Sequence, residues 1–312
     1  MDLKRRDFLK TSFAGLGSVA VANAVTFADE PSKPPKNPFS TDPVAKVKLT
    51  DEVTTSRLGF GTGMHGHQRS AQLTRMDRSK AEEMIRYAYD VGVRFFDCAD
   101  LYGTHELVAT TLKDKPRDSF TISSKLWPHP GGIPEDERPT ADVVVKRFLK
   151  ELQTDYLDLV QIHCMQKPNW QDDYEQYMED LAKLKEQGLI RGHGISCHSF
   201  GSIQTGAEDP WVDAMHIRIN SKNTRMDGTF EENVAAAQIA QDNGKGIIAM
   251  KLVGEGSMKE RKDREESIDA VVRSNVVDVY IVGFEAREEI DELIENVEKS
   301  LKAIEAEQKV NA

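Results

Sequence analysis

From residue 58 onward, short runs rich in β-branched and aromatic residues alternate with longer stretches whose apolar residues recur at helical spacing. The runs predict eight strands, over residues 58–64, 94–100, 120–126, 156–163, 190–198, 215–220, 246–251 and 276–284. Helices are expected between them. Ser79 and Glu82 read as a capping box ahead of Met84, Ile85 and Ala88, with Gly92 where that helix should stop. Tyr177, Leu181 and Leu184 mark a helix over 172–188 that closes on Gly188, and a last helix runs from about Arg287 towards Gln308. Strand and helix alternate over eight units. A Gly-rich dinucleotide fingerprint after the first strand is missing, because Gly59, Gly61 and Gly63 have the wrong spacing for one. Together these features predict an α/β chain closed into a (β/α)8 TIM barrel rather than a doubly wound open sheet. The longest loops after strands, 221–229 and 253–264, leave the carboxyl ends of their strands, where such barrels carry their chemistry.

The amino-terminal segment breaks this pattern. Residues 1–28 begin with Lys4, Arg5, Arg6, Asp7, Phe8, Leu9 and Lys10, followed by a mildly apolar run rich in Gly, Ala and Ser. That reads as an export signal rather than a spanning helix. The paired arginines followed by Asp-Phe-Leu-Lys resemble a twin-arginine signal, which implies the twin-arginine export machinery as a partner and a periplasmic or other extracytoplasmic location. Ala22-Asn23-Ala24 offers a small-x-small cleavage site, and Ala28 another. Residues 29–46 are Pro-rich and polar and read as a linker, leaving 47–312 for the barrel. At 312 residues, 39% apolar and 30% charged, the chain suits one large domain of this kind. Its net charge of -11, with no Lys/Arg-rich block in the mature region, argues against nucleic acid or an anionic membrane as partner. Three cysteines, Cys98, Cys164 and Cys197, form no CxxC or metal spacing. Strand alternation should turn Cys98 and Cys164 away from whatever Asp97 and His163 face. His65, His67, His193, His198 and His216 include no i,i+4 pair with a carboxylate partner, so no metal site is expected.

Candidate chemistry gathers at three consecutive strand ends: Asp97 and Tyr102 after the second, Lys125 ending the third and His163 ending the fourth. The segments FFDCADLYG, ISSKLW and DLVQIH that hold them resemble the Asp, Tyr, Lys and His segments of the aldo-keto reductases, and the likeness runs from LGFGTG through GHGIS and IAMK to the last strand. The resemblance implies reduction of a small-molecule aldehyde or ketone by hydride from NADP or NAD. Hydride arrival puts negative charge on the carbonyl oxygen, so a proton donor and groups that stabilise an alkoxide are needed there. Tyr102 would donate the proton, Lys125 would lower the phenol's pKa, and Asp97 would keep the buried amine charged. His163 would hydrogen-bond the carbonyl oxygen.

For the cofactor, the resemblance points to Gly61, Thr62 and Gly63 near the nicotinamide ribose and pyrophosphate. It points to Ser196 and Cys197 at the carboxamide, with Cys197 replacing the family's usual Asn, and to His216 where the family usually has Gln. Met250, where the family has a stacking aromatic, Lys251 and Val253 follow along the seventh strand, and Gly283, Phe284, Glu285 and Arg287 along the eighth segment. Glu285, among glutamates crowding Arg287, tilts the preference to NAD(H); equally, those glutamates suit the solvated first turn of a helix. Trp127, His129, Trp170 and Arg225 are candidates to line a substrate pocket for a sugar-like carbonyl or a small aromatic aldehyde. Two other functions fit the same fold: a carbohydrate transformation around a tightly held cofactor, and a binding module without hydride chemistry. Cys197, His216 and the glutamates favour the latter; the intact Asp-Tyr-Lys-His set opposes it.

Overall fold

In a computed structural model of the chain, residues 36–311 are described; the segment read as a signal and the first part of the linker lie outside them. Eight parallel strands close into a barrel: β3 (Leu58–Gly61), β4 (Phe95–Asp97), β5 (Thr121–Leu126), β6 (Leu159–Met165), β7 (His193–Cys197), β8 (Ala214–Arg218), β9 (Gly246–Met250) and β10 (Val279–Val282), the last pairing back on β3. The fold is the expected (β/α)8 barrel, with each predicted strand present and each shorter than predicted. A hairpin precedes it, β1 (Lys46–Lys48) against β2 (Thr54–Ser56). Three-residue strands carry too little alternation to be seen in sequence.

The period-two pattern explains where side chains go. Phe95, Leu159, Ala214, Ile248 and Val279 form one cluster inside the barrel, and Val47, Leu49 and Val53 from the hairpin segment join it. Their neighbours along the strands, such as Phe60, Phe96, Ile122, Val160, Ile195 and Met215, belong to a second and larger cluster with the helices. Polar residues 36–37, from the stretch read as a linker, are bound to this unit: Lys36 Nζ donates to the Leu49 and Lys245 carbonyls and reaches Asp278 at 3.3 Å, while Asn37 Nδ2 donates to Asp278 Oδ1 at 2.8 Å.

Helices α1 (Gln72–Arg75), α2 (Arg78–Asp90), α3 (His105–Leu112), α4 (Ala141–Glu151), α5 (Trp170–Glu186), α6 (Phe200–Glu208), α7 (Phe230–Asp242), α8 (Arg261–Ser274) and α9 (Arg287–Asn311) complete the units. The cap of α2 is Asp77, not Ser79: its Oδ1 accepts from the Ser79 and Lys80 amides at 3.0 and 3.2 Å, a strong acceptor two residues ahead of the predicted box. Gly188 follows α5 with φ +74°, as a helix-ending glycine does. Cys98 faces the helix layer as expected. Cys164 does not obey the alternation rule, because β6 breaks register between Ile162 and Met165 and Cys164 itself has φ +69°. No described helix is long and apolar enough to cross a membrane.

Candidate active site

Inward parity carries Asp97, Lys125, His163, Ser196 and His216 to the carboxyl-end mouth of the barrel, above the apolar layer. Asp97 is the hub. Its Oδ1 accepts from Lys125 Nζ and from His216 Nε2, the latter at 3.0 Å, and Lys125 Nζ also donates to the Cys98 carbonyl at 3.0 Å. All three side chains are buried. Burial alone would raise the Asp97 carboxyl, but the Lys125 ammonium and the His216 imidazole outweigh it and hold the group below the usual carboxylate range. Burial keeps His216 below its usual pKa, with Asp97 opposing. The trio is therefore an ion pair buttressed by a neutral imidazole, with no net charge to attract an anion.

Tyr102 stands above this pair. Lys125 Nζ lies 5.5 Å from the centre of its ring, and the His163 ring meets it edge-to-face at 5.7 Å. The ring fits only because two neighbours lack side chains: a Cβ on Gly63 would fall 2.1 Å from Tyr102 Cε2, and one on Gly66 2.5 Å from Cδ1. Gly63→Ala is expected to push the phenol out of place and cut kcat/KM by about a hundredfold with the far-UV circular dichroism unchanged. Wild-type turnover in that variant would show that the ring is not held as described.

The electrostatics of the phenol differ from the sequence expectation. Burial, followed by the Asp97 carboxylate, raises the Tyr102 pKa well above its ordinary value, and the Lys125 ammonium, paired with Asp97, does not reverse the shift. Tyr102 is thus a protonated donor through the neutral range. Burial, then the nearby Lys125 ammonium, holds His163 well below the usual imidazole pKa, so it is a neutral ring, and its Nδ1 has no hydrogen-bond partner among the described residues.

These groups line one end of a cavity of about 430 Å³ that continues past Met250, Lys251 and Val253 to Gly283, Phe284 and Glu285. Gly61, Gly63 and Ser196 also line it. Thr62 does not; its hydroxyl donates to the Asp97 carbonyl at 2.8 Å and meets Thr104, tying the β3 loop to β4. Four assignments are corrected. Cys197 faces the helix layer, its Sγ 3.6 Å from the Ser202 carbonyl, because it has the opposite parity to Ser196. His216 is fully buried under Asp97 rather than exposed to the cavity. Arg287 turns outward to Glu83 and the Tyr87 ring. Trp170 is buried at the start of α5, bonded to Thr205 at 3.0 Å and packed on Trp211.

Of the other substrate candidates, Trp127 has its ring 5.4 Å from that of His163 and its Nε1 on the Gly131 carbonyl, while His129 bonds the His163 and Cys164 carbonyls. Arg225 sits outside Glu255, 3.1 Å away. Sequence reasoning missed His198, which lines the cavity 6.2 Å from the His163 ring and is held down to about 3 by burial. Its even spacing from Ser196 was the available signal. Arg264 and Glu292 also line the cavity, brought there by the packing of α8 on α9, which leaves no local trace in the sequence.

The donor set and shape suit a nicotinamide dinucleotide. The cavity is elongated, and its floor crosses from β3 to β10 at Gly61 and Gly283, where a Cβ on Gly283 would come 3.2 Å from the Gly61 carbonyl oxygen. Ser196, Met250, Lys251 and Val253 line it between the Tyr102 end and the β10 end.

A parallel barrel that gathers a phenol, a neutral imidazole and a buried ammonium–carboxylate pair at its carboxyl-end mouth defines a (β/α)8 enzyme scaffold of oxidoreductase type. The sequence matches the Aldo/keto reductase family over residues 57–308, and the chain belongs to that family. It is 35% identical over 151 residues to a methylglyoxal reductase of Yersinia pestis (48% of this chain, 47% of that protein) and 28% identical over 198 residues to a glyoxal reductase of Bacillus subtilis (56% and 68%). The matched part thus spans about half of the first of these relatives. Among solved structures, an aldo-keto reductase from Pseudomonas aeruginosa superposes with a TM-score of 0.68 at 22% identity, over 83% of this chain and 97% of that one. One from Klebsiella pneumoniae in complex with NADPH gives 0.61 at 19% identity, over 82% and 89%. These two share the fold.

Proposed function

We propose that the protein reduces an aldehyde or ketone on a small, polar molecule, using a nicotinamide dinucleotide. The observation that carries this is the grouping of Tyr102, His163 and the Lys125–Asp97 pair at one end of the elongated cavity. A nicotinamide bound in this cavity would supply hydride to the carbonyl carbon. Tyr102 gives its phenolic proton to the carbonyl oxygen, completing the alcohol, and is reprotonated from solvent. Lys125 stabilises the transient phenolate across the short distance to the ring, and Asp97 fixes the amine without titrating itself. The neutral His163 orients the carbonyl oxygen, with His198 beside it in the cavity lining and the Trp127 ring packed 5.4 Å from its own, a setting that suits a short dicarbonyl or sugar-like substrate. The reductase names of the Yersinia and Bacillus relatives support starting with 2-oxoaldehydes. The Arg5-Arg6 signal supports export of the folded barrel, with the dinucleotide loaded beforehand.

The test is consumption of NADH or NADPH by the purified chain over a panel of 2-oxoaldehydes, aldoses and aromatic aldehydes, as a function of pH. Tyr102 must be protonated to act and its pKa is raised, so the rate should stay flat from about pH 7 to about pH 9, and the depressed His163 should add no limb in that window. A rate that falls through neutral pH would point to a different acid, and no turnover on any carbonyl would sink the reading.

A further inference from the structure

The end of the cavity remote from Tyr102 is lined by Glu285, Glu289, Glu292, Lys259 and Arg264. Its cations are largely engaged. Arg264 makes a two-pronged pair with Glu292, at 2.6 and 2.9 Å, and spends its remaining nitrogen on the Met258 and Lys259 carbonyls. Among the described residues lining this end, Lys259 has no ion-pair partner, and it shares the lining with three carboxylates, Glu285, Glu289 and Glu292.

The two amides just before α9 are engaged too. A helix start attracts anions through its unpaired N–H groups and its dipole. Here the anion is internal: Glu289 Oε2 accepts from the Glu285 amide at 2.6 Å and from the Ala286 amide at 3.4 Å. A phosphate seated there would have to displace the Glu289 carboxylate and then lie beside Glu285 and Glu292. Ribose hydroxyls face no such penalty, since they donate hydrogen bonds to carboxylates.

We propose that this chain selects the dinucleotide without a 2'-phosphate, NAD(H), and that Glu289 enforces the choice by occupying the Glu285 and Ala286 amides at the entry to α9. This rests on the reading of the cavity as a dinucleotide site. The remaining cation, Lys259, sits on an exposed loop and is outnumbered by the carboxylates around it.

The test is direct binding of NADH and NADPH to the purified protein by calorimetric titration, at low and high salt, for wild type, Glu289→Gln and Glu289→Arg. Wild type should bind NADH at least about tenfold more tightly than NADPH at low salt, with the gap narrowing as salt screens the carboxylates. Glu289→Gln should shrink the gap, and Glu289→Arg should reverse it. Glu289 is exposed, so both variants are expected to fold, with only a small drop in melting temperature where the amide contacts are lost. Equal or tighter binding of NADPH by wild type overturns the proposal while leaving the dinucleotide site standing. An unchanged ratio in both variants overturns the role of Glu289. Failure of wild type to bind either nucleotide removes the underlying reading and the proposal with it.

Discussion

Tyr102→Phe is expected to lower the rate of carbonyl reduction by roughly a thousandfold, the range typical of removing a positioned general acid, while the dissociation constants for NADH and NADPH stay within about twofold of wild type. The substitution is conservative in shape. The ring contacts that fix Tyr102, against Gly63, Gly66 and His163, involve carbons that phenylalanine keeps. Only the hydroxyl is lost, and no other protonated group of suitable acidity stands beside it: His163 is neutral and Lys125 is engaged with Asp97 and the Cys98 carbonyl. The readout is a single-turnover rate with pre-bound nucleotide, which separates chemistry from binding. A variant that retains most of its activity on every carbonyl tested would show that Tyr102 is not the donor. A variant that loses nucleotide binding instead would place the hydroxyl in the binding of the cofactor.

The barrel was legible because two periodicities survive in the sequence: short β-branched runs and helical spacings between them, with Gly92 and Gly188 at their ends. The site was legible where parity and strand ends coincide. Asp97, Lys125 and His163 are all inward-facing and all at carboxyl ends, so one rule finds them. Parity also separates Ser196 from Cys197, and applying it there as it was to Cys98 would have withdrawn Cys197 from the carboxamide. It fails at Cys164, where the strand breaks register. Other features depend on distances that no local pattern encodes. His216 comes from the far wall of the barrel to meet Asp97, 119 residues away in sequence. Arg264 reaches Glu292 across two helices, and Trp170 disappears between α5 and α6 because Thr205 and Trp211 are there to receive it.

The Asp97–Lys125 pair should dominate stability as well as activity. Breaking a buried pair by removing one partner leaves an uncompensated charge and costs about 3–5 kcal/mol, so Lys125→Met is expected to lower the melting temperature by roughly 10 °C in a domain of this size. The pH dependence separates this cause from mere loss of packing. In wild type, Asp97 is depressed below its unfolded value, so its contribution to stability is present at neutral pH and is lost on acidification through the folded-state pKa. Without Lys125 the main group holding Asp97 ionised is gone, burial dominates, and the carboxyl titrates above its unfolded value. Its ionised form then destabilises the fold at neutral pH, and protonation relieves this. The gap in melting temperature between Lys125→Met and wild type should therefore narrow as pH falls from about 8 to about 5. His216 strengthens the trend, since removal of the Lys125 charge lets it take a proton beside Asp97. Asp97→Asn combined with Lys125→Met removes both charges from the same buried space, and this double variant should melt above Lys125→Met at neutral pH, a non-additivity diagnostic of direct coupling. Its turnover should stay as low as that of Lys125→Met, because the neutral pair restores the packing beneath Tyr102 without restoring the cation that stabilises the phenolate. Additive losses, or a gap that does not change with pH, would mean that the pair is packed but not electrostatically coupled, and the site beneath Tyr102 would then owe its order to the Cys98 carbonyl and the barrel wall alone.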